Sequence, residues 1–142
     1  MEEEKVEEKK EEQQEEYKIE DVEMHSDDRE YMLEAIRKDA PWVIAYSSDR
    51  LRQDKELMLE ACKHDGQELY YASQKLRDDK DVVLTAVSQK WRILKYASEN
   101  MRRNKEVCLA ALKGSTSAVE YIMPEMKQDP DIQEILKPKE EE

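Results

Sequence analysis

The chain has 142 residues, 42% of them charged, and a formal net charge of -12. Between Met1 and His25 twelve acidic residues face four lysines, and Pro138 to Glu142 adds three glutamates against one lysine, so the long middle stretch is nearly balanced. That length suits one domain with a modest core, and no run of about eighteen apolar residues or basic start before an apolar run points to a membrane span or export.

In chain order, the opening "MEEEKVEEKKEEQQEEYKIEDVEM" offers too few apolar side chains to bury, and its like charges repel. Residues 1–25 are expected to be a disordered or transiently helical acidic tail. After it the sequence repeats itself. "YASQKLRDDKDVVLTAV" starts at Tyr71 and "YASENMRRNKEVCLAAL" at Tyr96. Extending the comparison both ways aligns Asp28, Asp54, Asp79, Asn104 and Asp129; Leu33, Leu59, Leu84 and Leu109; and Ala35, Ala61, Ala86 and Ala111. The same comparison aligns Tyr46, Tyr71, Tyr96 and Tyr121, and Leu51, Leu76, Met101 and Met126. The period is 25, with one extra residue near "DAPW" in the first copy.

Each unit reads as a pair of short helices. Asp or Asn opens the first as an N-cap, and an acid two residues on (Glu30, Glu56, Asp81, Glu106, Asp131) suits the positive end of the helix dipole. "LMLEAC", "VVLTAV" and "VCLAAL" then supply an apolar face broad enough for burial on two sides, with the alanine column letting a neighbour approach closely. Turn chemistry at "DAPW", "HDGQ" and "GSTS" marks the break, and "SQKW" marks it more weakly. Leu69, Ala72 and Leu76, or Leu94, Ala97 and Met101, give the second helix its inward side. Pro124 should kink or shorten that helix in the last full unit, and Pro130 fits the first turn of a closing helix. A helix pair of this size cannot bury its own apolar faces, so units must stack on one another. The expectation is an all-α solenoid of helical hairpins, with units at about 28–53, 54–78, 79–103 and 104–128, a capping helix at 129–137 and an acidic end at 138–142.

The phrases "DKELMLEACKHDGQELYYASQKLRDD" and "DKDVVLTAVSQKWRILKYASENMRRN" resemble the family described as domain of unknown function 4116, over about 28–136. The resemblance implies a tandem short-helix repeat with no established activity and no catalytic residues to carry over. "YIMPEM" departs from it where other units have Tyr-Ala-Ser and Leu-Arg, which marks the fourth unit as a capping or atypical one.

Candidate binding residues come from the same columns. Arg52, Arg77, Arg102 and Lys127 place one cation per unit. The column reads either as a track for an acidic or extended protein segment, including the chain's own acidic arm, or as dipole-satisfying cations that pair with the following Asp. Trp42 and Trp91 break the columns near the turns and read either as hot spots for a protein partner or as lids over the core. The tyrosines at a fixed inward position read as scaffold, rings packed between units.

His25 and His64 lack metal-like spacing, so no metal or cofactor is expected. Cys62 and Cys108 read as free thiols of a reducing, cytoplasmic setting, with delivery into a host cell left open. Two glycines in the whole chain leave no phosphate cradle or nucleophile elbow, and the near-neutral core between acidic ends argues against nucleic acid. The reading is a non-enzymatic protein-interaction scaffold. A purely structural spacer, or an effector or regulatory protein of a host-associated microbe, are the alternatives.

Overall fold

The computed structural model describes residues 17–138 and is built from helices, with no strand among the described residues. The acidic stretches at 1–16 and 139–142 lie outside the described residues. The packed part starts before position 26. Helix α1 (Ile19–Met24) buries Val22 completely, and the rings of Tyr17 and His25 pack on Tyr31, His25 stacked at a centroid distance of 4.0 Å. Tyr31 occupies the column that is fully buried in later units, so these two rings close the open end of the stack.

Each unit contains three pieces rather than two. The first is the expected capped α-helix: α2 (Arg29–Arg37), α4 (Lys55–His64), α6 (Lys80–Gln89) and α8 (Lys105–Gly114). Asp28, Asp54, Asp79 and Asn104 accept backbone N–H groups of the first turn, as does Asp129 ahead of α9 (Pro130–Leu136). Such a cap contributes about 1 kcal/mol.

The second helix of the sequence reading is split. A 3₁₀ helix comes first: η1 (Pro41–Tyr46), η2 (Gly66–Tyr71), η3 (Trp91–Tyr96) and η4 (Thr116–Glu120). After two extended residues, a one-turn α-helix follows in the first three units: α3 (Asp49–Arg52), α5 (Gln74–Arg77) and α7 (Glu99–Arg102). Ser48, Ser73 and Ser98 cause the break. Each takes an extended conformation and accepts the N–H of Leu51, Leu76 or Met101 through its hydroxyl, the local competition that makes serine a cap rather than an interior helix residue. In the fourth unit Pro124 opens a second 3₁₀ helix, η5 (Pro124–Gln128), instead.

The α-helices pack side by side in one layer and the 3₁₀ helices in the other. Leu57, Val82, Val107 and Ile132, with Met58, Val83 and Cys108, are fully buried between the layers. Ala35, Ala61, Ala86 and Ala111 are also fully buried. Leu59, Leu84 and Leu109 are only half-buried at the edge of this core. The extra residue of the first unit is absorbed at Asp39, whose φ of 68° turns the chain after α2 so that the Ala40 N–H reaches Ala35 O.

Two further links recur between units. The N–H of Ser48, Ser73, Ser98 and Met123 donates to Ser26 O, Arg52 O, Arg77 O and Arg102 O respectively, at 2.7–3.2 Å. The cation just inside each α-helix also reaches forward to acids at the next unit's helix start. Arg29 meets Asp54 and Glu56, Lys55 meets Asp79 and Asp81, Lys80 meets Glu106, and Lys105 meets Asp129 and Asp131. Hydrogen bonds to Asp81 and Asp79 hold the Lys55 ammonium above its ordinary pKa. Burial pushes Asp54 up, yet the Arg29 hydrogen bond and the Leu57 N–H outweigh it and hold the carboxyl below its usual range. These pairs are exposed enough for solvent to screen them, so they add little to stability. Their value is in setting which unit sits beside which.

Candidate functional site

The column of Arg52, Arg77, Arg102 and Lys127 is placed at the ends of the short helices, and three of the four are turned inward. Arg52 donates from Nε to Ser47 O at 3.1 Å and from Nη2 to Ala45 O at 2.6 Å. Arg77 repeats this with Ala72 O at 3.1 Å and Tyr70 O. Both thereby satisfy carbonyls at the end of their own 3₁₀ helix, where a tight helix leaves acceptors over. Arg102 instead reaches Tyr121 O in the following unit at 2.6 Å, and Lys127 is exposed. The guanidinium of Arg52 also lies 5.6 Å from the Tyr71 ring centroid and that of Arg77 5.9 Å from Tyr70. Pairing with the following Asp is thus replaced by carbonyl capping, and the forward ion pairs belong to the Arg29, Lys55, Lys80 and Lys105 column instead.

The two tryptophans occupy different surroundings. Trp91 opens η3, half-buried, and lies against the place where a Cβ on Gly114 would be, with its Cδ1 at 3.0 Å from that point. Tyr121 lies tilted beside it, centroids 6.3 Å apart, and Arg92 covers it. Trp42 lies one residue further along the equivalent helix. It walls a pocket of about 200 Å³ with Ala45, Tyr46, Glu68 and Tyr71. The Trp42 and Tyr46 rings stand nearly perpendicular, at 88°, with centroids 6.0 Å apart. All four aligned tyrosines, Tyr46, Tyr71, Tyr96 and Tyr121, are half-buried against the core.

Glu68 is the unexpected member. It is 6% exposed, and its Oε2 has no hydrogen-bond partner among the described residues. Burial, then the nearby Asp65 charge, push its carboxyl up to about 7, with Lys90 pulling partly the other way. In the other units the aligned residues are Val43, Ile93 and Ala118, all buried. η2 puts this side chain at the register that is buried in every unit, and next to it the backbones approach closely. A Cβ on Gly66 would fall 2.3 Å from Ala86 O, and the Gly66 N–H donates to Gln89 Oε1 while Gln89 Nε2 donates to His64 O at 2.7 Å. The signal was present in the sequence, as an acid in an otherwise apolar column.

The family model described as Domain of unknown function (DUF4116) matches residues 28–77, 54–102 and 79–127. The chain belongs to this family. Each matched stretch of DUF4116 begins on an N-capping Asp and ends on Arg77, Arg102 or Lys127, so the family's unit runs from the cap that opens an α-helix to the cation that closes a later short helix. No match is found among curated proteins or solved structures. Within the DUF4116 repeats, Cys62 and Cys108 are buried and unpaired by any disulfide. Burial pushes the Cys62 thiol up to about 12 and that of Cys108 up to about 11, and Cys108 Sγ donates to Arg102 O at 3.1 Å. Neither offers a thiolate near neutrality. Among the described residues no group of three or more His, Cys, Asp or Glu is placed to hold a metal, and no helix is long and apolar enough to cross a membrane.

Proposed function

We propose that the chain is a non-catalytic interaction module, a stacked scaffold that presents a recognition pocket to a protein partner. The supporting observation is Glu68. Stacking accounts for the alanine, leucine and tyrosine columns, the caps and the arginines, but it gives no reason to replace Val43 or Ile93 by a buried acid, one of whose oxygens has no partner among the described residues. Such a group destabilises its own fold by a few kcal/mol, and residues retained against stability are typical of binding sites. The buried, high-pKa thiols suit a reducing compartment and supply no nucleophile for a reaction.

Glu68→Val restores the apolar column and tests this directly. Near pH 7.5 its thermal midpoint should rise by about 5–10 °C, the size expected for a gain of ~2 kcal/mol in a domain of this length. A lowered midpoint would mean that Glu68 supports the fold, and the spacer reading would then stand in place of the interaction module.

A further inference from the structure

Three features meet at the boundary between the first two units. The pocket holds about 200 Å³ and is walled by Trp42, Tyr46 and Tyr71. Two of these rings are perpendicular, so they present a face and an edge to the same space. Glu68 lines the same space, and its Oε2, closed off from solvent, has no partner among the described residues. Aromatic faces attract cations, most strongly where water is displaced, and a buried carboxylate needs both opposite charge and a hydrogen-bond donor.

The nearby cations are committed elsewhere. Arg52, over the Tyr71 ring, bonds the carbonyls of Ala45 and Ser47. Lys90, the cation that Glu68 feels, is paired with Asp65 Oδ1 at 2.7 Å. Asp65 on the same side is an acid, and the neighbouring Cys62 is a neutral thiol. A bound ligand can supply the donor that these groups do not. The arrangement also occurs once among the four units: the residues aligned with Trp42 are Gln67, Arg92 and Ser117, and only the second unit has an acid in the Glu68 column.

We propose that the pocket formed by Trp42, Tyr46, Tyr71 and Glu68 binds an alkylammonium group that carries at least one N–H. The rings hold the charge and the Glu68 carboxylate accepts the N–H. A quaternary ammonium satisfies only the rings, so the site discriminates by proton count rather than by charge. Two sources share this chemistry, a lysine side chain of a partner and a free amine. The inference rests on the interaction-module reading and names the ligand class for it.

The test is a titration of the full chain followed through the indole N–H signals of Trp42 and Trp91, told apart with Trp91→Phe. The probes are n-butylammonium, tetramethylammonium and a blocked Gly-Lys-Gly peptide. The expected result is a saturable shift at Trp42 but not at Trp91. n-Butylammonium should bind at least about tenfold more tightly than tetramethylammonium, a gap of ~1.4 kcal/mol, and Glu68→Val, which removes the acceptor, should abolish the difference. A peptide that binds more tightly than n-butylammonium identifies the lysine source; equal binding identifies a free amine. The proposal is overturned if none of the probes gives a saturable shift, if tetramethylammonium binds as well as n-butylammonium, or if Glu68→Val binds as the parent does. Should Glu68→Val raise the melting point while no amine binds, the ligand class falls and the interaction module survives.

Discussion

Arg77 is where a track for acidic partners and a fixed part of the scaffold predict different outcomes. Arg77→Lys keeps the charge but loses the fork that meets two carbonyls at once, and Arg77→Ala loses both. The two bonds, to Ala72 O and Tyr70 O, would be worth about 1.5–3 kcal/mol each if fully buried. The side chain is half-buried, and water can replace it on the freed carbonyls, so the pair is worth roughly 1–2 kcal/mol. Its position over Tyr70 adds about 0.5 kcal/mol. With a urea slope of about 1–3 kcal/mol per molar, Arg77→Ala should lower the midpoint by about 1 M, read by circular dichroism at 222 nm. Arg77→Lys should recover less than half of that loss. If Arg77→Ala unfolds with the parent, the carbonyl contacts carry no weight and the guanidinium is free for a partner. Charge reversal at Arg52, Arg77 and Arg102 together would place carboxylates against carbonyl oxygens, so such a variant reports on folding before it reports on binding.

Two other outcomes follow from single positions. The Glu68 carboxyl, ordinarily near 4.5, is pushed up to about 7 in the folded chain, so the native state holds the proton more tightly than the unfolded one. Its contribution is full below about pH 4.5 and is lost as pH rises through about 7; urea unfolding of the parent should lose about 3 kcal/mol relative to Glu68→Gln across that window, and parallel pH curves for the two proteins would refute it. Gly66→Ala forces a Cβ to 2.3 Å from Ala86 O, a backbone oxygen that cannot rotate away, and should cost about 1–3 kcal/mol in the same assay; an unchanged midpoint would show that η2 and α6 can separate freely.

The parts of this fold legible in the sequence are those whose chemistry is local. Asp54, Asp79, Asn104 and Asp129 cap helices through groups two or three residues away, so the residue type and the apolar run behind it were sufficient. Ser73 and Ser98 act just as locally, yet Tyr-Ala-Ser at helical spacing from Leu69 and Leu76 hid the break, because apolar periodicity continues across it. The ion-pair column was missed for a different reason. Lys55 and Lys80 have partners 24 to 26 residues onward, and at the start of a helix they look like ordinary solvated charges. Arg52 and Arg77 stood out because they recur, and the recurrence coincides with carbonyls of the stack that they meet. Glu68 had the opposite character, conspicuous only by difference from Val43, Ile93 and Ala118. In a repeat, sameness maps the scaffold and departures point to the site.

The forward links give the array a direction. Every joint between full units has two unlike sides: one unit supplies the cation inside its α-helix and the carbonyl acceptor at the end of its short helix, and the next supplies the acids and the N–H donor. At 130 the giving cation is replaced by proline, so the closing helix α9 receives and does not give. Segments cut from one capping Asp to the next therefore carry matching connectors at both ends, like track pieces. Such a segment can be copied or removed without redesigning its neighbours, which makes gain or loss of whole units the least disruptive way for this architecture to change its reach.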